Sequence, residues 1–220
     1  MTLTIKDVEY AFRWCPAGTF MMGDEPGEAS VTLSRGFWML ETQVTQVMWE
    51  KIMGNNPSQF KGAKLPVECV SWDDCQEFIK RLDDMNVAPA GFRFSLPMEA
   101  QWEYACRAGT TTAYSFGDTP THQQANFGGN VGQTTEVGKY PANAWGLRDM
   151  HGNVQEWCQD WIGDYPSGSV TDPTGALSSS SRIYRGGSWD SDAEGARSVY
   201  RYGNYPSDGL CLIGFRLACP

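Results

Sequence analysis

The chain has 220 residues, 41% hydrophobic and 20% charged, with a formal net charge of −9. That length and balance suit one globular domain and exclude a disordered chain. The acidic charge argues against nucleic-acid binding, which needs a basic stripe to displace counterions, and no apolar run is long enough to span a membrane.

The first residues, MTLTIKDVEYAF, lack a basic stretch followed by an apolar one, so any export signal or lipid anchor is expected outside this chain. Residues 10–23 read as short strands around a Pro-Ala-Gly turn, and a strand is expected at Gly36–Leu40. Thr45 then caps a short helix, Gln46 to Met53, which ends at Gly54 before Asn55-Asn56-Pro57.

Ser71 opens a second helix with Asp74 at its third position, as in a capping box. Cys75, Phe78, Ile79 and Leu82 follow at helical spacing, giving one apolar face to about Asp84. A third helix is expected from Pro97, through Glu99, Trp102 and Tyr104, to near Gly109. Beyond Gly109, Gly, Asn, Thr and Pro dominate, and short strands are expected at Asn153–Gln159, Ile183–Gly187 and Gly214–Ala218. The nine tryptophans suit large core fillers that also use their indole N–H.

Seven cysteines lack metal-site spacing: Cys69 and Cys75 are six apart and no CxxC occurs, which argues against zinc. An odd number leaves at least one thiol free, and Cys211 is the candidate for it. Cys75 and Cys106 fall on apolar helix faces, as core cysteines do.

The segment from Arg185 to Arg216 stands apart. Blocks RGGSW and GFRLA bracket small, polar and tyrosine residues with no strand or helix period. Tyrosine gives contact area at low entropic cost, while Ser, Gly and Asn give adaptable polar contacts, as in antibody-like surfaces. Within it, Asp190, Ser191, Asp192, Gly195, Tyr200, Tyr202, Gly203, Asn204, Tyr205, Asp208, Gly209, Leu210, Cys211 and Leu212 can each arise from an asparagine codon by changing only adenines. No Lys, Gln, Met or Trp occurs between Asp190 and Ile213. An ordinary polar loop would also favour Gly, Asn, Asp and Ser.

The blocks LPMEAQWEYACRAG, GNVQEW and RGGSW…GFR, preceded by GTFMMG and ETQVTQVMWEKIMGNNPS, resemble the formylglycine-generating-enzyme (sulfatase-modifying factor) family from about Trp14 to Ala218. The resemblance implies an α+β fold, the C-type lectin fold of that enzyme type, as one domain over residues 1–220 with a variable region at about 190–213. The family's copper oxidase uses two cysteines, two and seven residues after the aromatic of its GGS-aromatic block. Those positions are Ser191 and Ala196 here. Neither can replace a thiolate toward copper(I), so no copper is expected.

A related branch, of ergothioneine-type sulfoxide synthases, carries its iron-binding histidines on a separate domain. Here only His122 and His151 are present, and His151 is expected to be a structural hydrogen-bonder beside GNVQEW. A third branch fits best: the segment resembles the variable region of proteins diversified by retroelements, whose reverse transcriptase miscopies template adenines.

That resemblance implies a non-catalytic binding protein, displayed at the cell surface or in the periplasm, expected to be monomeric and to bind a protein or another surface molecule of unknown identity. The alternative is a formylglycine-generating-type oxidase relative that has lost its copper cysteines. A sugar-binding calcium lectin is disfavoured, because Glu-Pro-Asn and Gln-Pro-Asp motifs are absent.

The family also implies one structural calcium site, with side-chain oxygens from Asp149 and Glu156 and carbonyls from Gly152 and Val154. In the alternative, Glu156 simply accepts backbone N–H bonds in a tight loop. A second family calcium site, after Asn126-Phe127, is expected to be lost, since Glu136 is the only acid in that short loop.

Overall fold

The computed structural model describes residues 1–24, 27–165 and 167–220. The chain begins with strands β1 (Thr2–Ile5), β2 (Val8–Cys15), β3 (Gly18–Met22), β4 (Ala29–Leu33) and β5 (Phe37–Leu40). Helices α1 (Gln46–Met53), α2 (Trp72–Asp84) and α3 (Glu99–Arg107) follow. Six short strands complete it: β6 (Gln155–Trp161), β7 (Ser169–Thr171), β8 (Arg182–Arg185), β9 (Arg201–Asn204), β10 (Ile213–Gly214) and β11 (Ala218–Cys219). This is the α+β architecture of the C-type lectin fold, with few helices and much irregular chain.

The first two helices form as their sequences predict. Thr45 Oγ1 accepts the Met48 N–H at 3.3 Å, and Gly54 takes a left-handed φ of 83° to close α1 on Glu50. Ser71 and Asp74 form the full capping box, and Cys75, Phe78, Ile79 and Leu82 are buried. The third helix starts two residues later than expected. Pro97 has no N–H to offer; Met98 N donates to Gln101 Oε1 at 3.0 Å, and Glu99 N donates to the Asp160 carboxylate at 2.7 Å.

Three sheets result, ordered β1-β2-β5-β11, β10-β6-β8-β9 and β3-β4-β7. Strand β6 begins at Gln155 rather than Asn153 because Gly152 and Asn153 have left-handed φ values of 99° and 68° and make a turn. Strand β8 stops at Arg185 because Gly186 and Gly187 are also left-handed, and a Cβ at Gly187 would lie 2.8 Å from the Gly195 carbonyl.

The expected strand at Gly214–Ala218 is two strands. Ile213–Gly214 runs parallel to β6, and Ala218–Cys219 runs antiparallel to β5. The GFRLA block therefore fastens two sheets together. A second correction concerns the C-terminal segment, which is not wholly irregular: Arg201–Asn204 pairs antiparallel with β8. Its period is hidden because only four residues are extended.

The core has two main parts. One packs α1 and α2 against β2 and the C-terminal strands, with Trp49 stacked on Phe78 at 5.4 Å and Phe215 against both. The other surrounds α3, with Trp102, Ala105, Met39, Met150 and Ile183. Cys75 and Cys106 are buried free thiols, as expected.

Candidate binding surface

The framework holds the C-terminal segment by its main chain. Gly129 N donates to Trp189 O at 2.8 Å, Gly128 N to Ser191 O at 2.7 Å, and Trp189 N to Asn153 O at 2.9 Å. Further along, Ser198 N donates to Ala113 O, Asp73 N to Pro206 O, Cys69 N to Leu210 O, and Gln155 N to Leu212 O. Peptide groups make the same bonds whatever side chain they carry.

Two arginines, Arg185 buried and Arg201 half-buried, reinforce this grip. Arg185 donates through Nε to Glu99 at 2.9 Å and through Nη1 to Ser198 O at 2.8 Å. It also pairs with Glu103 at 2.9 Å. These two carboxylates hold the Arg185 guanidinium well above its usual pKa despite burial. Arg201, on β9, takes both Glu99 oxygens at 2.7 Å.

Side chains of the segment mostly point outward. Asp190, Asp192, Tyr202, Tyr205, Gly209 and Leu210 are exposed, and Ser191, Tyr200, Gly203, Asn204, Asp208, Cys211 and Leu212 are half-buried. Gly195 is the exception: it is buried in a short 3₁₀ turn, where its N–H is capped by Asp192 Oδ1 at 2.8 Å. Tyr202, Tyr205 and Leu210 expose 43%, 57% and 43% of their surface, too much for core residues.

The tyrosines form a ladder. Tyr184 stacks on Tyr202 with centroids 5.7 Å apart, and the hydroxyls of Tyr200 and Tyr202 are 2.6 Å apart. That hydrogen bond pushes the Tyr200 phenol up to about 12. Residues preceding the segment extend the same sheet face. The Arg182 guanidinium lies between Trp72 and Trp161, 3.9 and 3.4 Å from the two rings. Tyr184 and Arg182 carry no periodic signal, because it is the β8–β9 pairing that sets them beside Tyr202 and Asn204.

Cys211 is not the free thiol expected. It forms a disulfide with Cys69, across a sequence separation of 142. The free thiols are Cys15, Cys75, Cys106, Cys158 and Cys219, all buried. Spacing cannot reveal such a pair, because the backbone bond from Cys69 N to Leu210 O at 3.1 Å is what brings the two together.

At the positions of the family's copper cysteines, Ser191 Oγ accepts the Ser188 N–H at 2.9 Å and Ala196 is fully buried. His151 is the structural hydrogen-bonder expected. Its Nε2 accepts the Ser115 N–H at 3.0 Å and its Nδ1 faces Ala196 O at 2.9 Å. Burial lowers its pKa to about 4, so it is neutral. His122 instead stacks at the surface on Phe127, with centroids 4.6 Å apart.

The turn carrying Asp149, Gly152, Val154 and Glu156 does bring oxygens together. The oxygens facing inward are the backbone carbonyls of Asp149, Gly152 and Val154 and Oε1 of Glu156, all within 3.3 Å of Gln43 Nε2. The Asp149 side chain, expected in this set, accepts the Gly138 N–H at 2.6 Å instead. Burial raises its pKa to about 6. Glu156 accepts side-chain donors rather than backbone N–H groups: Arg216 at 2.6 and 2.7 Å and Trp102 Nε1 at 2.7 Å. Gln43 carries no local signal, since it precedes α1 among the polar residues Glu41, Thr42, Thr45 and Gln46 and its partners lie more than 100 residues away.

Comparison with known proteins agrees with this architecture. The solved structure of Treponema denticola variable protein 1 is similar over 100% of this chain and 98% of that one, with 31% identity and a TM-score of 0.90. A formylglycine-generating enzyme of Streptomyces coelicolor is 33% identical over 70% of this chain and 52% of its own length. A serine/threonine-protein kinase, pkn1 of Chlamydia caviae, is 41% identical over 56% of this chain, but the match spans only 20% of the kinase's length. The sulfatase-modifying factor enzyme 1-like domain model matches residues 8–219, and the chain belongs to that family.

Proposed function

We propose that this protein is a non-catalytic binding module whose C-terminal surface is diversified by adenine-directed retroelement mutagenesis. One observation carries this reading. The segment is fastened through peptide groups, while thirteen of its fourteen asparagine-reachable positions are exposed or half-buried. Most of that surface can change its side chains at little cost to the fold; the exceptions are Cys211, held in a disulfide, and Gly209, where a Cβ would lie 2.9 Å from the Cys69 carbonyl.

The likeness to a variable protein across the whole chain supports the same reading. So do Ser191 and Ala196, which supply no thiolate where the family's oxidases hold copper. In this variant Tyr200, Tyr202 and Tyr205 are the aromatic anchors, and Asp190, Asp192 and Asp208 make the surface acidic. The partner is then a cationic or hydroxyl-rich surface of a protein or other surface molecule, met outside the cytoplasm by a monomeric receptor.

Sequencing the 3′ end of the gene from many single colonies, with its flanking DNA, tests the proposal. The informative codons are those of Ser191, Gly195, Gly203, Gly209, Leu210 and Leu212. They are expected to end in C or T, to differ between colonies, and to face AAC or AAT in a near-copy beside a reverse transcriptase. An invariant segment with no template repeat overturns the retroelement reading.

A further inference from the structure

Four oxygens of one turn face a single nitrogen. The carbonyls of Asp149, Gly152 and Val154 lie 3.1, 3.3 and 2.9 Å from Gln43 Nε2, and Glu156 Oε1 lies at 3.0 Å. Gln43 is completely buried. Three of these oxygens, from Gly152, Val154 and Glu156, are ones the family resemblance assigns to calcium; Asp149 contributes its backbone carbonyl in place of the side chain.

The orientation of the Gln43 amide is fixed by its neighbours. The backbone N–H of Thr135 donates to Asn153 Oδ1 at 2.8 Å. A backbone N–H cannot act as an acceptor, so that atom of Asn153 must be its oxygen. Asn153 Nδ2 then donates to Thr135 O at 3.2 Å and to Gln43 Oε1 at 3.1 Å. Rotating the Gln43 amide would set NH₂ against NH₂ on one side and oxygen against four oxygens on the other. The amide nitrogen therefore belongs among the oxygens.

The charge of Glu156 is balanced by an arginine, whereas Asp149 Oδ1 is buried without a partner among the described residues. Arg216 is fully buried and binds Glu156 through Nε at 2.6 Å and Nη2 at 2.7 Å. Its remaining donors reach Leu40 O and Glu41 O, each at 3.1 Å, and Arg148 O at 2.9 Å. Calcium takes six to eight oxygens at about 2.3–2.6 Å. Here an amide group fills the centre, the facing carboxylate is already neutralised, and the Asp149 carboxylate is turned to Gly138 N. The residues present do not fit a resident calcium.

We propose that the Gln43 amide and the Arg216 guanidinium together replace a structural cation, so that the turn at 149–156 folds without calcium. The amide supplies donors to the carbonyls and the guanidinium supplies the positive charge. The same two residues join the start of α1, the entry to β6 and the GFRLA block. The frame beneath the binding surface is thus independent of the calcium around it.

Thermal unfolding of the intact protein in EDTA and in millimolar calcium tests this, alongside Gln43→Glu. The wild type is expected to melt at the same temperature in both, within about 1 °C. Gln43→Glu sets a second carboxylate against the four oxygens. It is expected to melt well below the wild type in EDTA and to recover with calcium. A wild-type gain of about 5 °C or more in calcium overturns the proposal, and so does a Gln43→Glu variant as stable as wild type in EDTA. If that variant folds in neither condition, the wild-type comparison decides alone.

Discussion

Arg201 grips both carboxylate oxygens of Glu99 at 2.7 Å, and through them the first turn of α3 holds the strand that carries Tyr202. Arg185 reaches the same carboxylate from β8 at 2.9 Å. One acidic side chain thus anchors two arginines beneath the binding surface.

Removing that carboxylate leaves two poorly solvated guanidinium groups without it. Glu99→Ala is expected to cost about 3 kcal/mol, a fall of about 10 °C in melting temperature. Differential scanning calorimetry reads this directly. A loss no larger than that of an exposed substitution contradicts the anchoring role.

The disulfide between Cys69 and Cys211 ties the outer loop to the start of α2. Non-reducing digestion and mass spectrometry should recover these two cysteines in one cross-linked species. The Cys211→Ser variant is expected to lose about 2–4 kcal/mol, as closing a long loop predicts. The five buried thiols should react with an alkylating agent only on unfolding.

Two buried groups give opposite pH dependences. Burial lowers His151 from 6.5 to about 4, so the unfolded chain binds the extra proton between these values. Its contribution is present above pH 6.5 and is lost as pH falls toward 4. Burial raises Asp160 from 3.8 to about 7, so the folded chain binds the extra proton there. Its contribution is present below 3.8 and is lost as pH rises toward 7. Denaturant titrations across pH 4–7 should therefore show the wild-type advantage over His151→Asn shrinking on acidification. The advantage over Asp160→Asn should shrink on alkalinisation.

Local signals were legible in the sequence and long-range ones were not. Thr45, Ser71 and Asp74 act within one helical turn, so α1 and α2 were placed to the residue. The start of α3, two residues after Pro97, combines a local cap from Gln101 on Met98 N with a distant one from Asp160 on Glu99 N, and only the first lies within reach of a local reading. Cys211 was misassigned for the same reason, since only its approach to Cys69 in space reveals the pair. The outward set from Asp190 to Leu212 was legible because its small, polar and tyrosine-rich composition lacks the period of a packed element. Gly195 fits that composition and is nonetheless buried under the 3₁₀ turn.

Exchanging several surface side chains at once tests most directly whether the binding face is separable from its frame. Asp190, Tyr202, Asn204, Tyr205, Asp208 and Leu210 would be replaced together, in a panel of variants, by other residues reachable from asparagine. The melting temperature is expected to stay within about 5 °C of the parent in most variants, since exposed and half-buried surface positions cost little each. A panel that mostly unfolds, or loses as much as Glu99→Ala, would show that these side chains build the fold and contradict an exchangeable surface.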